Sequence, residues 1–103
     1  MIAFDVRVNG KKLCRAGTAA DFGVVTVILH WARRREPPTE GGRTREELRL
    51  EIGGLDSSGP HSGKHSRWVT RALRRGDRLS VAIVDAKQVD APKRRYRLGP
   101  REH

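Results

Sequence analysis

Two runs of strictly alternating apolar and polar residues meet at Asn9-Gly10, and this feature constrains the fold more than any other. Residues 2–8 place Ile2, Phe4, Val6 and Val8 on one face and Ala3, Asp5 and Arg7 on the other, the period of a half-buried strand. Asn-Gly is the dipeptide that best tolerates two consecutive left-handed residues, so the chain is expected to reverse there. Residues 11–15 return antiparallel, with Leu13 expected beside Val6 on the core face and Cys14 opposite, near Asp5.

The same period recurs downstream. Gly23 to Arg33 contains VVTVILHWA, apolar on both faces and rich in β-branched side chains, and reads as a central strand covered on both sides. Phe4 and Trp31 are the expected core aromatics. Glu46 to Ile52 alternates Leu48, Leu50 and Ile52 inward with Glu47, Arg49 and Glu51 outward, and reads as an edge strand. Dimerisation through that free edge is a further expectation. Residues 77–86 form another strand, with Leu79, Val81 and Ile83 on one face, fed by the Gly76-Asp77 turn. Asp77 is expected to bond backbone amides in that turn.

Between the strands lie turn-forming stretches. Loops are expected at 34–44, with its two prolines and two glycines, and at 53–66; a frayed tail is expected at 99–103. Residues 67–75 fit a strand, with Trp68, Thr70 and Ala72 on one face. They also fit a helix capped by Ser66 and stopped by Gly76. The strand is preferred. The expected fold is therefore all-β: a single domain over 1–103, an antiparallel β-sandwich or partly open barrel. The second choice is α+β with one helix near 66–75.

Charge sets the class of partner. The chain carries 22 Lys and Arg against 12 Asp and Glu, a net charge of +10. The excess is uneven: residues 1–52 hold ten basic against seven acidic side chains, and residues 53–103 hold twelve against five. Such a field attracts anions. Lys64 to Arg78 contains six basic residues and one acid, and Lys93 to Arg101 five and none. Guanidinium groups pair in a forked geometry with phosphate or carboxylate. Arg71, Arg74, Arg75, Arg78, Lys93, Arg94, Arg95 and Arg97 are the candidate anion contacts. Trp68 and Tyr96, each beside an arginine, are the candidate base-stacking pair. The expected function is a non-enzymatic binding module that docks nucleic-acid backbone. An inhibitor or immunity-type protein that binds an acidic protein is the alternative. No signature of a known nucleic-acid-binding module is present.

Other chemistries are weaker. GPHSGK at 59–64 lacks the spacing of a phosphate loop and has His65 where the hydroxyl residue should stand. His30, His61, His65 and Cys14 are the nitrogen and sulfur ligands present, but no zinc spacing links them, so neither metal nor cofactor is expected. A small hydrolase or metal enzyme built on His30, His61, His65 and Asp56 is the rival from another class; under the favoured reading His61 and His65 are exposed loop residues and His30 is half-buried. Arg75-Gly76-Asp77 spells an adhesion tripeptide that the turn explains. One cysteine permits no internal disulfide, and no run approaches a membrane span. A cytoplasmic location without membrane contact is expected.

Overall fold

The computed structural model describes residues 1–35 and 44–98. Among them are seven strands and no helix: β1 (Ile2–Val8), β2 (Lys11–Gly17), β3 (Gly23–Arg35), β4 (Thr44–Asp56), β5 (His65–Ala72), β6 (Leu79–Asp85) and β7 (Arg94–Tyr96). They form a three-stranded sheet, β2-β1-β6, and a four-stranded sheet, β3-β4-β5-β7, with every pairing antiparallel. The two sheets pack together as a small all-β sandwich. No described helix is long and apolar enough to cross a membrane.

The opening hairpin forms as its turn residues dictate. Asn9 and Gly10 both have positive φ, 53° and 78°, the combination a two-residue primed turn requires. Its register differs from simple alternation. A bulge between Val6 and Arg7 pairs Val6 with Cys14 and Arg7 with Lys12. The extra residue, Leu13, is pushed to the margin, and Cys14 rather than Leu13 faces Val6 in the core.

The core consists of Val6, Val8, Cys14 and Ala16 from one sheet against Leu50, Ile52 and Trp68 from the other. Each large aliphatic side chain removed from water contributes about 1.5–3 kcal/mol. Burial pushes the Cys14 thiol up to about 11 from an ordinary 9.0, with the charge of Asp90 adding to the effect. At pH 8 the native thiolate fraction is then roughly 100-fold below that of the unfolded chain. Alkylation by iodoacetamide is expected to be correspondingly slow in the native protein and fast in denaturant. Because the folded value is the raised one, the associated stability is intact below pH 9.0 and is lost as pH climbs through about 11.

Three strand assignments change. Residues 44–56 are not an edge: β4 lies between β3 and β5. Residues 23–35, expected at the centre, form the edge of the four-stranded sheet, and Trp31 is exposed rather than core. Alternation reports which face of a strand is apolar, not whether a neighbour lies on both sides. The expected loop at 53–66 shrinks, because β4 continues to Asp56 and β5 begins at His65. The tail at 99–103 and most of the loop at 34–44 lie outside the described residues.

Residues 65–72 are strand, as preferred, but a bulge between Ile52 and Gly53 breaks their alternation. Ile52 pairs with Val69 and Gly53 with Arg67, so Trp68 is the additional residue. It turns inward beside Ser66, while Arg67 and Thr70 share the outer face, joined by a 3.1 Å hydrogen bond from Arg67 Nη1 to Thr70 Oγ1. The segment after β6 crosses to the second sheet along β2. There Asp90 N donates to Arg15 O (2.9 Å) and Arg15 N donates to Asp90 Oδ2 (2.8 Å).

Candidate nucleic-acid interface

The basic residues singled out in the sequence separate into two groups, because β7 pairs only with the first residues of β5. The register is His65 with Tyr96, Ser66 with Arg95 and Arg67 with Arg94. Lys93, Arg94, Arg95 and Arg97 therefore gather at that end, together with Arg67. Arg71, Arg74, Arg75 and Arg78 lie at and beyond the far end of β5.

The second group has acids beside it, and one of its members, Arg75, is ion-paired. Arg75 Nη2 donates to both oxygens of Glu46, at 2.7 and 2.9 Å. The same carboxylate accepts from Trp31 Nε1 at 3.0 Å and stands 3.8 Å from Arg33. These partners, the indole first and Arg75 next, hold Glu46 below the usual carboxylate range. Asp77 behaves as its turn position predicts: it accepts from Arg74 N at 2.8 Å and from Asn9 Nδ2 at 2.9 Å. Those bonds, Asn9 first, lower its pKa. Acids are thus built into this end of the molecule.

The first group has a different chemistry. Period two sends Arg94 and Tyr96 to the outer face of the sheet and Arg95 to the inner one. On the outer face the Tyr96 and His65 rings stack, centroids 5.4 Å apart and planes 19° from parallel. The Arg94 guanidinium carbon lies 4.8 Å from the Tyr96 centroid, and Arg67 Nη2 donates to the Tyr96 hydroxyl at 3.3 Å. Arg67 is also 3.7 Å from Glu51, which holds Arg49 at 3.2 Å. Among the described residues no carboxylate pairs with Arg94, Arg95 or Arg97.

Beside this stack runs a groove of about 300 Å³, bounded by His65, Arg67 and Tyr96 on one side and by Val24, Thr26 and Ile28 of β3 on the other. Its floor is the Gly53-Gly54 pair of β4. A Cβ on Gly53 would stand 2.8 Å from Ser66 O, so the glycine is what lets the β5 backbone approach this closely, while the Arg67 stem at 3.5 Å would only meet it in ordinary contact. Aromatic rings, guanidinium planes and an apolar wall on one accessible sheet face form a surface on which unstacked bases can lie.

Trp68 does not belong to this surface. It is buried between the sheets, and its Nε1–H donates to Asp90 O at 2.7 Å. Trp68 and Tyr96 therefore occupy opposite faces of their sheet and cannot stack on one ligand together. Trp68 lies on the inner face with Ser66, two residues before it, and the bulge then moves Thr70 to the outer face. His65, by contrast, joins the site through its pairing with Tyr96, which only the β5–β7 register reveals.

A larger cavity of about 540 Å³ lies at the end of the sandwich between residues 17–21, 56–61 and 89–92. Arg95 reaches into it, its Nη1 donating to Ser66 Oγ at 3.3 Å. Asp56 and His61 line it too; the Asp56 carboxylate accepts from Thr18 Oγ1 at 2.8 Å, and His61 Nδ1 is buried without a partner. His61 is thus half-buried rather than a free loop side chain, and so is His65. The four residues of the hydrolase alternative do not converge. His65 stacks on the outer face, and His30, half-buried as expected, sits on β3 opposite Arg49. Among the described residues no three His, Cys, Asp or Glu side chains are placed to hold a metal ion.

A scan against protein-family models finds no match, and searches of curated proteins and of solved structures return no match either.

Proposed function

We propose that this protein is a binding module for single-stranded nucleic acid, using the outer face of β5 and β7. The observation that carries the reading is the assembly around Tyr96: a stacked histidine, a guanidinium over the ring and a second guanidinium on the hydroxyl, all within one sheet face. A base extends that stack from the imidazole or from the Arg94 plane. The phosphates that follow it meet Arg67, Arg94 and the neighbouring Lys93 and Arg97. The group at Arg71 to Arg78, in which Arg75 is ion-paired with Glu46 and Asp77 stands in the turn, contributes field rather than contacts.

About four phosphates neutralised on a single strand correspond to a slope of roughly −3 in log affinity against log salt. Fluorescence polarisation with a labelled oligonucleotide, titrated across a salt series, measures that slope. Arg67→Ala and Arg94→Ala are each expected to flatten it by roughly 0.7. Tyr96→Ala is expected to weaken binding about tenfold or more through lost stacking. Absence of binding at low salt excludes the proposal. Binding lost on Arg71→Ala and Arg74→Ala but indifferent to the β7 substitutions moves the contact to the other end of β5.

A further inference from the structure

We propose that β3 pairs with β3 of a second copy, antiparallel about a two-fold axis at Val27 or Ile28, so that the four-stranded sheet continues across a dimer. β3 is the terminal strand of its sheet and runs for 13 residues. Among the described residues no strand pairs with its far side. Its ten residues from Gly23 to Ala32 contain no Asp, Glu, Lys, Arg or Pro. Natural edge strands are normally blunted by such residues or kept short, because a flat apolar edge recruits another strand. The edges at β2 and β7 follow that rule, with Lys11, Lys12 and Arg15 on one and Arg94 and Arg95 on the other.

β3 also exposes apolar side chains on both faces: Val24 (55%) and Ile28 (46%) on the outer face, Leu29 (60%) and Trp31 (53%) on the inner. The molecule as a whole is broad for its length. Its radius of gyration is 16.8 Å and its extents are 52 × 43 × 17 Å, whereas a compact chain of this size has a radius near 13 Å. A sandwich this open leaves strand surface to be covered by something outside itself.

A second copy fits because β3 is complementary to itself. In either register residues of equal parity oppose one another, so inner faces meet inner faces. Leu29 then lies against the partner's Val25 or the partner's Val27, and the axis places aliphatic side chains of the two copies side by side. The ends are of opposite charge. Asp21 precedes the strand and Arg33 and Arg34 close it, all three exposed. An antiparallel two-fold brings Arg33 and Arg34 next to the partner's Asp21 at both ends of the interface.

Sedimentation equilibrium over a concentration series tests the proposal. The expected species has twice the 11.6 kDa chain mass. Ile28→Lys sets two ammonium groups against each other near the axis and is expected to give a monomer, with the β-sheet circular dichroism retained because the side chain is half in solvent. Asp21→Arg is expected to weaken the dimer roughly tenfold, and Asp21→Arg combined with Arg34→Asp to restore it. A monomer at every concentration overturns the proposal. So does a dimer that survives Ile28→Lys but dissociates on Ile83→Lys, which would place the contact on another edge, β6. Failure of the charge swap to restore pairing, or open-ended polymers, would also overturn it.

Discussion

Trp68→Ala is expected to lower the free energy of unfolding by about 3–5 kcal/mol, measured by denaturant titration. That is a large part of the total for a domain of this size, which is about 5–15 kcal/mol. The indole is buried at the point where the two sheets meet, so alanine leaves a void that Val6, Leu50 and Ile52 cannot fill without moving backbone. It also leaves Asp90 O without its 2.7 Å donor. Trp68→Phe separates the two effects. It retains most of the volume and removes the hydrogen bond, with an expected cost of about 1–3 kcal/mol for the orphaned carbonyl. Oligonucleotide affinity of the folded Trp68→Phe protein is expected to be unchanged. A loss of affinity without a loss of stability would return Trp68 to the binding surface.

Gly54→Ala is expected to cost about 2–3 kcal/mol in the same measurement. The reason is steric and purely backbone. A Cβ at residue 54 would stand 2.5 Å from Val24 O and 3.5 Å from the carbonyl carbon of that residue. No side chain can rotate away to relieve that contact, so β3 and β4 must part where Val25 pairs with Gly54. Gly59→Ala is the control. Its Cβ meets nothing within 4 Å, and its φ of +78° is the sole source of strain. An expected cost of about 1 kcal/mol follows for that position. If the two substitutions cost the same, close strand approach is not what selects glycine at 54. Because Gly54 also underlies the groove, the same variant is expected to weaken oligonucleotide binding, whereas Gly59→Ala should not.

The parts of the fold legible beforehand were those written in local chemistry. Asn9-Gly10 announced its turn, because few dipeptides accept two positive φ values at low cost. Leu48, Leu50 and Ile52 announced an inward face, and Asp77 its own turn. The errors have different origins. Leu13 and Cys14 exchanged places because one bulge shifts every later side chain by one position. Trp68 reads as a ligand contact for another reason, the arginine beside it, and a charged neighbour in the chain does not tell which face of the sheet a side chain takes. The order of strands within a sheet was likewise out of reach: β3, apolar on both faces, reads as central yet ends its sheet.

For the candidate site, the sequence supplied Tyr96 and the basic residues at 93–97, with their excess of positive charge. It could not supply His65, Arg67 or Gly53, which reach the site through pairings between strands distant in the chain. Nor could it tell that Arg75 is neutralised by Glu46, 29 residues away, while Arg94 stays open to an anion. Alternation, turns and net charge are properties of neighbouring residues and survive in a one-dimensional text. Register, bulges and ion pairing depend on which strands lie side by side. That choice is made by the burial of the whole core, and it decided here where the positive charge of the molecule is left uncompensated.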